Sequence, residues 1–114
     1  MASSKSRSDL VPGTLEMLIL KTLTRGAMHG YGIAGLIQTA SEEVLHVEEG
    51  SLYPALQRLL MKGWVSAEWA QTEHKRQARY YRLTPAGRKQ LGSEVDEFRR
   101  VMAAIERILN PSEA

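Results

Sequence analysis

Arg58 and Lys62 lie four residues apart and are followed by Lys75, Arg76, Arg79, Arg82, Arg88 and Lys89. Spaced like this, they suit one kind of chemistry above others, the binding of a polyanion. Both side-chain types keep their charge at neutral pH, and the planar fork of arginine matches phosphate and the edge of guanine. Residues 51–90 hold these eight cations against two acids, Glu68 and Glu73, while the total formal charge is only +2. A basic centre between mildly acidic flanks is the footprint of a surface that meets nucleic acid. Catalysis finds little support. His29, His46 and His74 do not share metal-ligand spacing, and no phosphate-binding loop or nucleophile motif occurs. Glu42-Glu43 and Glu48-Glu49 are best read as solvated charge. With no cysteine among 114 residues, thiolate metal sites and disulfides are unavailable, and a reducing, cytoplasmic setting is the simplest expectation. Neither a cofactor nor a metal is expected.

Positioning such cations takes a scaffold, and the apolar spacing suggests one. Leu15, Leu18, Ile19, Thr22 and Leu23 form a helical stripe that begins at Gly13-Thr14 and ends at Gly26. Met17 and Leu20 add a second apolar flank, expected to face a partner subunit. A second helix is expected from about Tyr31 to Ser41, with Ile33, Ala34, Ile37 and Ala40 on one face. Tyr31 at its start either meets phosphate beside free backbone N–H groups or packs under the next helix. Residues 42–49 read as a connection, with Val44, Leu45 and Val47 able to extend. Gly50 to Gly63 then reads as a short helix with Leu52, Leu56, Leu59 and Leu60 behind. Ser51, Ala55, Arg58 and Lys62 are expected in front, with Ser51 as N-cap, Pro54 in the first turn and Gly63 as the stop. A front low in bulk and carrying hydrogen-bond donors suits entry into a DNA major groove.

Residues 64–71 alternate as a strand, with Val65, Ala67 and Trp69 on one face. A second strand is expected from Arg79 to Leu83, and the polar tip between the two carries Lys75 and Arg76. A hairpin of this kind after a helix-turn-helix forms a wing that lays Lys75, Arg76 and Arg79 along phosphates or a minor groove. Thr84-Pro85 opens a last helix ending at Asn110-Pro111. Its apolar residues Leu91, Val95, Phe98, Met102, Ile105 and Leu109 follow a strict heptad rhythm. A helix of about 25 residues runs some 37 Å, more than so small a core can cover. The remainder is expected to bury against the same helix of a second copy.

Several motifs in this order resemble the PadR family of bacterial transcriptional regulators. They are Gly13-Thr14-Leu15-Glu16-Met17-Leu18-Ile19-Leu20, His29-Gly30-Tyr31, Gly50-Ser51-Leu52-Tyr53-Pro54-Ala55-Leu56 with Arg58-Leu59, Gly63-Trp64-Val65, and Tyr80-Tyr81-Arg82-Leu83-Thr84-Pro85-Ala86-Gly87. The resemblance spans about residues 13–90. It implies a winged helix-turn-helix that dimerises through its C-terminal helix and usually represses promoters, some members being released by small phenolic or drug-like ligands. Carried over by position, it makes Ser51, Tyr53, Pro54 and Arg58 the DNA-reading candidates of the third helix, and the helix's own basic front adds Lys62. Tyr31 joins them on the backbone, and Lys75, Arg76 and Arg79 from the wing. Tyr53 has a second reading, as a packing residue that props the helix. For an effector, the shorter relatives imply a cavity at the dimer axis, where Val95, Phe98 and Met102 stand. The wing tip departs from many relatives in lacking glycine or proline, which leaves its turn type open.

The expected fold is therefore mainly α with a small β-hairpin, a winged helix-turn-helix plus a long C-terminal dimerisation helix. Residues 1–12 are expected as a flexible tail, 13–83 as the DNA-binding domain, 84–110 as the dimerisation helix and 111–114 as a second tail. The expected partners are double-stranded DNA bearing a pseudo-palindromic operator, a second copy of the chain and a small-molecule effector, with no membrane. A winged helix that binds protein instead of an operator is the competing reading, because fold alone does not fix function. The basic excess of residues 51–90 weighs against it.

Overall fold

The computed structural model describes residues 13–111, so the tail expected at 1–12 and all but Pro111 of the one expected at 111–114 lie outside the described residues. The chain runs α1 (Thr14–Thr22), β1 (Met28–His29), α2 (Gly30–Ala40), α3 (Glu49–Met61), β2 (Val65–Gln71), β3 (Gln77–Leu83) and α4 (Pro85–Leu109). A 3-10 turn, Leu23–Arg25, extends α1 to Gly26, whose φ of 136° suits a residue without a Cβ.

The core lies where α1 crosses the other helices. Ile19, Leu20, Ile33, Leu52, Leu56 and Leu59 are fully buried there, and Leu23, Ile37, Val65, Leu83 and Leu91 close its edges. Met17 and Leu20 are 8% and 0% exposed, which corrects the expectation that they face a partner. With α2, α3 and α4 all packed around α1, both of its apolar flanks find cover inside the chain.

The sheet has three strands in the order β1-β3-β2, all antiparallel. Strand β1 is only two residues long, pairing Met28 with Tyr81 and His29 with Tyr80, too short for any alternation to announce it. Strand β3 begins at Gln77, two residues earlier than expected. The β2–β3 register sets Val65 opposite Leu83, Ala67 opposite Tyr81 and Trp69 opposite Arg79. Side chains alternate across a strand, so these six share one face. That face is buried at its root but leaves the core toward the tip, where Trp69 is 66% exposed.

Two helices end in the same way. Trp64 N–H donates to Leu59 O and Gly63 N–H to Leu60 O, with Gly63 at φ 76°, which confirms Gly63 as the stop of α3. At the end of α2, Glu43 N–H donates to Gln38 O and Glu42 N–H to Thr39 O, with Glu42 at φ 55°. Glu42 thus occupies a position that favours glycine, at a cost of about 1 kcal/mol. Glu42→Gly is expected to raise unfolding stability by roughly 0.5–1 kcal/mol in urea titrations.

Helix α4 starts from a tight corner. Thr84 Oγ1 accepts from Gly87 N–H (3.0 Å) as the N-cap and donates to Gly63 O (2.8 Å), while Thr84 N–H donates to Trp64 O (3.1 Å). Its first turns pack on the core through Leu91 and Val95, and beyond them α4 leaves the globule. The radius of gyration is 16.2 Å, against about 13 Å for a compact chain of this size.

Candidate nucleic-acid interface

Helix α3 begins at Glu49 with Glu48 as its N-cap, three residues before the expected Ser51. Ser51 is accordingly inside the first turn, where its N–H donates to Glu48 O. Pro54 stands in the second turn, and its missing N–H leaves the Gly50 carbonyl without its usual partner four residues on. Leu52, Ala55, Leu56 and Leu59 are the buried residues of this helix. Ala55, expected in front, is 0% exposed. The buried arc is therefore wider than the leucines alone suggest, and the free face is turned correspondingly.

That turn sets Arg58 and Lys62 on the flank beside α1. Glu16 Oε2 accepts from Arg58 Nε at 2.5 Å, and Glu16 Oε1 lies 3.9 Å from Lys62 Nζ. Lys62 also stands 4.8 Å above the Trp64 ring. Both cations are about half exposed, so these pairs each contribute no more than about 1 kcal/mol. They orient the side chains more than they stabilise the fold.

On the other flank an open groove of about 1040 Å³ separates the start of α2 and α3 from the wing. Tyr31 and Tyr53 line one wall, and Trp69, Arg76, Arg79 and Tyr80 the other. Tyr31 is 82% exposed, so it is free of the packing role that was its second reading. Its helix is capped by His29, whose Nδ1 accepts from Gly32 N–H (3.0 Å) and whose ring meets Tyr80 edge-on at 5.3 Å. Tyr53 takes the packing role that was its second reading while leaving part of its surface open. Its ring rests on Gly30, where a Cβ would come within 2.8 Å of the phenol oxygen, yet it is 46% exposed. Burial, then the Glu49 carboxylate and then Tyr81, push its phenol above the ordinary range, so it keeps its proton at neutral pH.

The wing tip closes through Thr72. Its N–H donates to Arg76 O (2.7 Å), its carbonyl accepts from Lys75 N–H (2.9 Å), and its Oγ1 accepts from the N–H groups of His74 and Arg76. Lys75 adopts φ 61°, the place glycine holds in many three-residue hairpins. The missing glycine is thus replaced by a strained lysine held by a threonine, and the charge at the tip is kept.

Of the residues that the sequence singles out, Tyr31, Tyr53, Arg76 and Arg79 border the groove. Lys75 crowns the wing tip, exposed Ser51 and Pro54 lie on α3, and Arg58 and Lys62 lie on the flank beside α1. Trp69 and Tyr80 are groove residues that sequence reasoning missed, Trp69 because its alternation with Val65 and Ala67 marked it only as part of a strand face. The heptad seam also divides. Leu91 is buried and Val95 packs against the chain's own core, while Phe98, Met102, Ile105 and Leu109 are 39%, 44%, 42% and 69% exposed. Val101 and Ile108 widen that exposed stripe. Among the described residues no three His, Asp or Glu side chains are grouped to hold a metal ion, and no helix is long and apolar enough to cross a membrane.

Comparison with known proteins agrees with this architecture. A protein of Lysinibacillus sphaericus is 29% identical over 100 residues, covering 88% of this chain and 92% of that one. The structure of a transcriptional regulator from Clostridium thermocellum superposes with a TM-score of 0.79 at 30% identity, covering 88% of this chain and 97% of that one. A PadR family transcription regulator from Clostridium difficile superposes at 0.74 with 26% identity, over 86% and 100% of the two chains. Residues 19–93 match the model of the transcriptional regulator PadR-like family, whose members regulate transcription and are not enzymes. With about two thirds of its length inside that match, this chain belongs to the PadR-like family of transcriptional regulators.

Proposed function

We propose that the protein is a dimeric, cytoplasmic repressor that binds a pseudo-palindromic operator and is released by a small aromatic or drug-like effector. The observation that supports DNA binding most directly is the placement of the groove. The start of α2, Tyr53 of α3 and the wing cations Arg76 and Arg79 all border one opening. An α-helix flanked by a basic hairpin fits a major groove with the neighbouring phosphates or minor groove beside it. In this reading Tyr31, Lys75, Arg76 and Arg79 serve the sugar-phosphate backbone, and Ser51, Tyr53, Pro54, Arg58 and Lys62 accompany α3 into or along the major groove. The exposed half of the seam, Phe98, Met102, Ile105 and Leu109, pairs with its copy across a two-fold axis. An effector between the two copies would meet Phe98 and Met102, with Val95 beneath them. Half-sites are then expected about one or two helical turns apart.

Footprinting and gel shifts with DNA flanking the coding region test this reading, and binding that ignores sequence or salt would overturn it. The double variant Lys75→Ala/Arg76→Ala is expected to weaken binding to all sequences alike. The slope of log K against log salt should become shallower by about 0.9 for each phosphate that is no longer neutralised.

A further inference from the structure

Helix α3 turns outward a ridge different from the one that its charges mark. Its inward direction is set by Leu52, Ala55, Leu56 and Leu59. At 3.6 residues per turn, the positions roughly opposite are Gly50, Pro54, Gln57 and Met61, all exposed. Arg58, Ser51 and Lys62 lie to one side of this ridge, and Glu16 draws the two cations toward α1. Of the four ridge residues, glycine has no side chain, proline has no donor, and methionine offers only a weakly accepting sulfur. Gln57 alone carries a donor and an acceptor side by side. No partner among the described residues holds its carboxamide.

We propose that Gln57 is the base-reading residue of α3 and that it recognises an adenine. Its carboxamide N–H donates to adenine N7 while its oxygen accepts from the N6 amino group, the two-bond pattern that glutamine makes in a major groove. Arg58 and Lys62 then act on phosphates at the groove edge, held at that angle by Glu16. This assignment rests on the operator-binding reading above. It moves the specificity of α3 from its most charged residue to a neutral one.

Selection of binding sites from a random duplex pool by the full chain tests the assignment. The wild type is expected to enrich a two-fold motif. Gln57→Ala should lose preference at one A·T pair in each half-site, with discrimination there falling on the order of 10- to 100-fold while other positions keep theirs. Gln57→Arg should turn the same position toward G·C, since arginine pairs with guanine O6 and N7. Because Gln57 is exposed, both variants should unfold at the wild-type temperature to within a few degrees. If Gln57→Ala enriches the unchanged motif, or Arg58→Ala erases the A·T position instead, the assignment is overturned and operator binding stands. If the wild type enriches no motif, operator binding fails and the assignment fails with it.

Discussion

Gly87→Ala is expected to destabilise the protein by roughly 2 kcal/mol, although alanine is the better helix former. A methyl group built at Gly87 would lie 1.9 Å from the Trp64 carbonyl oxygen, a backbone atom that cannot rotate away. Relief requires the start of α4 to lift off the wing root. That breaks some of the hydrogen bonds joining Thr84 to Gly63, Trp64 and Gly87. Overpacking costs about 1–3 kcal/mol and a lost cap about 1, and helix propensity returns less than 1. In a domain of this size the melting temperature should fall by about 10 °C. Gly92→Ala on the same helix is the internal control. Nothing lies within 4 Å of a Cβ added there, so it should be neutral or stabilise by up to about 1 kcal/mol. Equal shifts for the two alanines in urea or thermal unfolding would show that the close approach at Gly87 does not matter.

Ile105→Asp is expected to dissociate the proposed dimer and, with it, operator binding, while leaving each chain folded. Ile105 is 42% exposed and lies well beyond Leu91 and Val95, where α4 leaves its own core. Burying a side chain of this size contributes about 2 kcal/mol, and a two-fold axis counts each change twice. A carboxylate forced into that seam adds its desolvation cost. The dimer dissociation constant should therefore rise by at least about 1000-fold, which is roughly 4 kcal/mol. Sedimentation at micromolar concentration reads the change directly, and circular dichroism checks that the helices remain. A wild type that sediments as a monomer under these conditions would remove the dimer from the proposal.

The architecture was legible in the sequence because its main signals are local. Gly63 ends α3, Thr84-Pro85 opens α4, and the β2–β3 hairpin shows its alternation, all within a few residues of the chain. What depended on distant partners was harder to read. Met17 and Leu20 looked like surplus apolar surface because nothing in their own helix reveals that α4 returns to cover α1. Ala55 carried no sign that it would be buried, being small enough to fit either face, and its burial turns the whole helix. Arg58 drew attention by its charge, but its angle is set by Glu16, forty-two positions earlier in the chain. Trp69 continued a core-facing alternation past the point where the core ends. In the site, therefore, residue types were readable, and directions were not.

Thr84 joins the end of α3 to the start of α4 through Gly63 and Trp64, so the two helices meet at one corner with little slack. A rod of about 37 Å fixed at that corner is a lever. If the rod pivots at its far, paired end, a tilt of about 3° displaces the corner by roughly 2 Å, a large fraction of the 3.4 Å rise of one base pair. In a paired molecule, two such levers would act in opposite senses, so small changes in how the rods cross would alter the pitch at which the two reading helices match DNA. The part that sets DNA phasing would then lie far from any base.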